Sequence, residues 1–302
     1  MESTDYRSGQ GGRRTEGRTA AIASLLAGAT VWGLIWYPFR AIEAGGLSGA
    51  RATTLTYAVA LVLGLLFLWP RLRGARPDGW LVAIALTSAG CNLGYVLAML
   101  HGEVMRVLLL FYLAPLWTLF LARLLLNERV NAVGAGVIAL SLVGAVTMLW
   151  HPGLGLPWPG NGSEWMGLGA GFLFALSNVL IRRTSQLSIE IKSVAVFFGM
   201  VAVGTIVVLL EPSGGGKVED PSIWAMIVII GVILLVINPV VQYGLTHVAA
   251  NQAVVIFLFE LVVAALSSWL LAGETMGPRE WGGGALIVAA GFFSGRLDSR
   301  EG

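Results

Sequence analysis

Ten apolar stretches follow one another along the chain, at residues 19–40, 49–69, 79–101, 104–126, 131–150, 163–183, 190–210, 222–246, 249–272 and 279–296. Each is close to the roughly 20 residues that cross a bilayer as a helix. A helix is the expected form, because hydrocarbon offers no partner to an unpaired backbone N–H or C=O. The interruptions carry turn chemistry: Gly45-Gly46, Arg71–Asp78 beside Pro70 and containing Pro77, Pro152–Gly162, and Pro212–Pro221. The junctions at 101–104 and 247–249 are so short that the helices they join must form tight antiparallel hairpins. Residues 1–18, rich in Gly, Ser, Thr and Arg, read as a disordered tail.

Within that pattern one segment occurs twice. Phe111–Glu128 (FYLAPLWTLFLARLLLNE) and Phe257–Glu274 (FLFELVVAALSSWLLAGE) lie at an offset of 146 residues. Each opens on Phe, carries an interrupting polar or proline position, closes on Leu-x-x-Glu and leads into a Gly-rich apolar run. Span one echoes span six, Trp32 to Arg40 aligning with Phe174 to Arg182. The unit is therefore five spans, and an odd unit repeated once enters the membrane in opposite senses. The fold class expected is an all-α polytopic membrane protein, ten transmembrane helices forming two inverted-topology five-helix repeats. Transporters are built this way, with the substrate site near the midplane between the halves. The expected organisation is a disordered cytoplasmic tail (1–18), a first repeat (19–150), a periplasmic connector (151–162), a second repeat (163–296) and a short cytoplasmic tail (297–302).

Charge then sets orientation. With the N-terminus inside, fourteen Lys and Arg residues fall on the cytoplasmic side, and five (Arg40, Arg51, Arg106, Lys217 and Arg279) fall outside. The positive-inside rule selects that arrangement, so both termini are expected in the cytoplasm of a bacterial inner-membrane protein. Composition agrees, with 56% hydrophobic residues, 12% charged residues and a mean hydropathy of +0.79. Soluble domains run about 45–50% apolar and about 25% charged. The lone Cys91 excludes an intrachain disulfide, and His101, His151 and His247 have no metal-ligand spacing. The first span is long enough to be retained rather than cleaved as a signal. No cofactor or metal is expected, and no nucleic acid. The expected partners are lipid and a small molecule, and the oligomeric state stays open, a monomer included.

These residues carry a family likeness. Trp32-Gly33 in span one, Pro115 in span four, and the glutamates Glu128 and Glu274 that close spans four and nine resemble the drug/metabolite transporter (DMT) superfamily, EamA type. Within it the chain is most similar to the YddG-type aromatic amino-acid exporters of bacteria. Two positions depart from the pattern. Asn127 precedes Glu128 where the second half has the more usual Gly273-Glu274, and Phe174 stands where a Trp is expected.

The candidate site is a set of polar and aromatic residues at mid-span. Glu260 is a carboxyl inside the ninth span, where insertion scales charge about 2.5–3.5 kcal/mol, so it should face a cavity or a partner. It reads as a contact for a substrate amine or as a proton-coupling group. Asn92, Tyr95 and Met99 share one face of span three; Asn238 and Gln242 share one face of span eight, with Tyr243 beside them. Ser177 and Asn178 lie mid-span on six, Trp32 and Trp36 one turn apart on one, and Tyr112 is the second residue of the repeated segment in span four. Uncharged hydrogen bonds and aromatic faces suit a neutral or aromatic amino acid. The same amides serve equally as bonds between helices, worth about 0.6–2 kcal/mol each.

Pro38, Pro115 and Pro239 interrupt spans one, four and eight, freeing the carbonyls of Leu34, Phe111 and Leu235, and are candidate gating points. Gly167–Gly171 (GLGAG) reads as close helix packing, and Asn161-Gly162-Ser163 as a chance glycosylation match. The leading expectation is export of aromatic and other neutral amino acids and related metabolites by alternating access. A cationic drug exporter is the first alternative. Transport of nucleotide or phosphorylated sugars is disfavoured because no Lys or Arg lies centrally in a span. The chain has no enzyme signature, and a non-transporting scaffold has no evident need of an inverted repeat.

Overall fold

A computed structural model describes residues 5–72, 78–150, 152–154, 158–211, 220–273 and 275–294. Among them there is no strand. The helices are α1 (Asp5–Ala44), α2 (Gly49–Leu72), α3 (Gly79–His101), α4 (Val104–Phe111), α5 (Ala114–Leu126), α6 (Ala132–Leu149), α7 (Gly162–Arg183), α8 (Ile189–Leu210), α9 (Pro221–His247), α10 (Ala250–Phe257), α11 (Phe259–Ala272) and α12 (Pro278–Phe293). Among the described residues nine crossings have the length and hydropathy of membrane spans, and the 16-residue α12 completes the second five.

Two expectations change. Spans four and nine are not continuous, since each is a pair of helices, α4–α5 and α10–α11. Residues 5–18, expected to be disordered, continue the helix of the first span as the start of α1. Extending a helix already nucleated by an apolar run costs far less than starting one. Glu274, His151, Lys217 and the 297–302 tail lie outside the described residues.

The halves interlock rather than sit side by side. Helix α3 runs along α7 and α8, while α9 runs along α1 and α2; α2 crosses α8, and α6 lies along α12. Replacing every helix by its counterpart in the other half leaves this pattern unchanged, as an inverted repeat requires. Packing between halves greatly exceeds packing within either one. The main core therefore mixes both, with Leu25, Tyr57 and Ile84 of the first half meeting Phe197, Met200 and Leu234 of the second.

The ends are tied across the same divide. Glu164 is buried and accepts hydrogen bonds from Arg106 Nε at 2.8 Å and Nη2 at 2.9 Å, from the Gly160 amide at 2.7 Å and from Asn161 Nδ2 at 2.8 Å. Glu211 pairs with Arg51 at 3.3 Å and accepts from Ser48. At the opposite end Glu128 lies 3.6 Å from Arg182 and accepts from the Ala250 amide at the start of α10, and Arg71 lies 3.6 Å from Glu190. Each of these pairs joins the first half to the second.

Local chemistry sets the helix ends. Asp78, Asn131, Asn161, Ser188 and Asp220 cap their helices through side-chain oxygens. The Ser222 amide on Asp220 holds that carboxyl below the usual carboxylate range. Asn161, the apparent glycosylation site, is thus the cap of α7. The closing motifs are C-caps. Asn127 (φ 58°) ends α5 and Gly273 (φ 69°) ends α11, both left-handed and both at one repeat position. Asn tolerates that conformation better than other side-chain-bearing residues.

Candidate functional site

The site begins at the two breaks. Helix α4 stops at Phe111 and α5 starts at Ala114; α10 stops at Phe257 and α11 starts at Phe259. Phe111 and Phe257 are repeat equivalents, so both spans break at the same place. Pro115 accounts for the first break, since it sits in the opening turn of α5 and brings no N–H. The second break has Leu261 at the matching position. There α1 packs tightly on the backbone, so that a Cβ at Gly33 would stand 2.8 Å from the Glu260 carbonyl oxygen. At the first break Gly171 of α7 plays this part, a Cβ there colliding with the Phe111 carbonyl. Each broken span is therefore pressed against a glycine of the other half.

Between the breaks lies a cavity of about 130 Å³. That is close to the roughly 150 Å³ void that takes up benzene, so it has room for one ring or a small amino acid. Glu260, in the first turn of α11, projects into it. The Tyr112 phenol, from the other break, lies near the Glu260 carboxyl. Trp32, Ser88, Asn92, Tyr95, Ser177, Asn178, Asn238 and Gln242 also line the cavity. Ser88 and Ser177 share a hydrogen bond of 2.7 Å, and Asn92 Nδ2 donates to the Ser88 carbonyl at 2.9 Å. Asn178 Nδ2, Asn238 Oδ1 and Gln242 Oε1 are buried with no protein partner. Buried polar groups are rarely left so, and water or a polar ligand in the void would satisfy these three.

Aromatic rings bridge the breaks. Tyr95 lies 4.9 Å from Phe111, Phe111 lies 5.6 Å from Phe174, and Phe174 lies 5.5 Å from Phe257. Phe174, the residue that departs from the family pattern, thus joins the two repeat-equivalent phenylalanines. Buried side chains close the cavity on the side of Ile181 and Leu245. Trp32, Asn92, Tyr95, Phe174 and Glu260 are half-buried, whereas Ser177, Asn178, Ile181, Val196, Gln242 and Leu245 are buried. Below that closed end sits Lys192 of α8, fully buried, with Nζ donating to Thr246 Oγ1 at 2.6 Å and to the Ile181 carbonyl at 3.3 Å.

Of the residues read from the sequence, Trp32, Asn92, Tyr95, Ser177, Asn178, Asn238, Gln242 and Glu260 are brought together, with Tyr112 behind Glu260. Three stand elsewhere. Trp36 Nε1 donates to Ser267 Oγ at 2.9 Å, tying α1 to α11. Met99 is one turn beyond the cavity on α3, and Tyr243 turns outward with its ring 4.2 Å from that of His247. Helical spacing fixes a face, not how far along it the cavity extends. Pro38 and Pro239 lie within unbroken helices, so of the three prolines only Pro115 marks a break. Sequence reasoning missed Tyr57, Ser88, Cys91, Phe111, Phe257 and Lys192. Ser88 could have been found one turn before Asn92, and the two phenylalanines as the opening residues of the repeated segment.

The model of the EamA-like transporter family matches the chain twice, over residues 19–150 and 162–296. An uncharacterized transporter of Archaeoglobus fulgidus is 27% identical over 222 residues, which is 73% of this chain and 78% of that protein. An uncharacterized transporter of Synechocystis sp. is 26% identical over 236 residues, 72% of this chain and 66% of that one. A protein of known crystal structure superposes with a TM-score of 0.75 at 17% identity, covering 94% of this chain and 99% of the other. At that identity the likeness concerns the fold alone.

Proposed function

The chain belongs to the EamA-like transporter family, a branch of the drug/metabolite transporters, and on that footing we propose that it exports aromatic and other neutral amino acids and related small metabolites, as a YddG-type exporter would. One observation carries the reading: a cavity at the crossing of two helix breaks, walled by aromatic rings and unpartnered amides, with one carboxyl. The amides suit uncharged polar atoms, the rings suit an apolar side chain, and Glu260 suits an amine. The Glu260 side chain acts as the amine contact or carries a proton in exchange.

Transport proceeds by alternating access, the halves rocking about the shared cavity. Because the half-helices end at the cavity, a small rotation of either break re-aims Tyr112 or Glu260. Pro115 is the first bending point, with Pro38 and Pro239 accommodating strain in the long helices beside it. The bacterial inner membrane, cytoplasmic termini and outward direction belong to the proposal, supported by the fourteen-to-five distribution of Lys and Arg.

A cationic drug is the second reading, favoured by Glu260 beside aromatic faces. Counterflow of radiolabelled phenylalanine in proteoliposomes separates the two. Exchange that is resistant to quaternary amines supports the amino-acid reading. No exchange of any amino acid, together with uptake of a quaternary amine, would overturn it.

A further inference from the structure

We infer that the closed end of the cavity is an anion subsite, built from Lys192 and Asn178, that takes the carboxylate of the transported molecule. This rests on the amino-acid reading and deepens it, because it requires a free carboxylate on the substrate. Lys192 is fully buried near the start of α8, yet no carboxylate pairs with it among the described residues. A buried ammonium without a counter-charge is costly, and lysines near span ends ordinarily reach outward to the interface instead. Its Nζ uses two of three donors, on Thr246 Oγ1 and the Ile181 carbonyl.

The second observation is independent. Asn178, 5% exposed and lining the cavity, has an Nδ2 donor with no partner. Ile181, whose carbonyl accepts from Lys192, lies three residues further along the same helix, and its side chain shares one face of α7 with Asn178. Ile181, Val196, Gln242 and Leu245 form the floor between Lys192 and the void, and Thr246 Oγ1 donates to the Gln242 carbonyl at 2.7 Å. An anion entering from the open end meets the Asn178 amide first. Once the floor parts, it meets the free valence of Lys192. Glu260 and Lys192 then act in succession along the path, one on the amine and one on the carboxylate.

The test compares three probes on purified full-length protein: phenylalanine, 3-phenylpropionate (carboxylate only) and phenethylamine (amine only). Binding is read by tryptophan fluorescence, for wild type, Lys192→Met and Asn178→Ala. The subsite predicts that Lys192→Met weakens phenylpropionate at least about tenfold and phenethylamine by less than about twofold, and that Asn178→Ala follows with a smaller loss. A thermal melt matching wild type shows that each variant is folded. Equal effects on the two single-group probes, or none, would overturn the subsite. Wild type that binds phenylpropionate through Lys192 but moves no amino acid keeps the subsite and overturns the amino-acid reading. Wild type that binds only phenethylamine overturns the subsite and leaves a cationic substrate. Wild type that binds no probe overturns both.

Discussion

The phenol of Tyr112 lies near the carboxyl of Glu260 although their backbones belong to opposite halves of the repeat. Tyr112 closes the half-helix before the first break, and Glu260 opens the half-helix after the second. At equivalent positions the other copy has Leu258 and Ala114. The pair is thus what the duplicated frame does not duplicate, and it gives a symmetric fold one asymmetric site.

Tyr112→Phe keeps the ring that packs 5.2 Å from Phe111 and removes only the hydroxyl. One hydrogen bond is worth about 0.5–1.5 kcal/mol net. The thermal midpoint should fall by no more than a few degrees, while the Kd for phenylalanine weakens by roughly two- to tenfold. Titration calorimetry on the purified variant checks the Kd, and a thermal melt checks the midpoint.

The glycines under the breaks give a packing prediction. Gly33→Ala would set a methyl 2.7 Å from Val263 Cβ and 2.8 Å from the Glu260 carbonyl, and Gly171→Ala would collide with the Phe111 carbonyl. Each should cost about 1–3 kcal/mol. Gly169→Ala, with nothing within 4 Å, should be neutral or slightly stabilising, since Ala favours helix by about 1 kcal/mol. Thermal unfolding in detergent ranks the three.

The left-handed caps give another. Asn127→Gly places the residue of the second half in the first and should be neutral or stabilising by under about 1 kcal/mol. Asn127→Val puts a β-branched side chain at φ 58° and should destabilise by about 1–2 kcal/mol. The matching change Gly273→Val should do the same, because Gly273 holds the same conformation at φ 69°. A fluorescence melting series decides it.

The spans were legible because lipid enforces a simple rule of length and polarity, and the repeat because its copies share Phe111/Phe257 and the Leu-x-x-Glu closure. Glu260 was legible as a carboxyl where none is cheap. The breaks were not. Leu258 and Phe259 look like any apolar helix, and only the packing of α1 onto the Glu260 backbone distinguishes them. Lys192 was hidden for a related reason. Its place near a span end is what a snorkelling lysine shows, and its burial comes from α7 and α9 folding over it. Trp36, Met99 and Tyr243 were grouped with the cavity because helical spacing carries no depth.

The most direct test of Glu260 is uptake of radiolabelled phenylalanine into proteoliposomes under an imposed proton gradient, for wild type and Glu260→Gln at matched incorporation. Wild type should take up phenylalanine, and Glu260→Gln should do so at least about tenfold more slowly, with any response to the gradient shown by wild type abolished. Uptake by Glu260→Gln equal to wild type, with an unchanged response to the gradient, would contradict it.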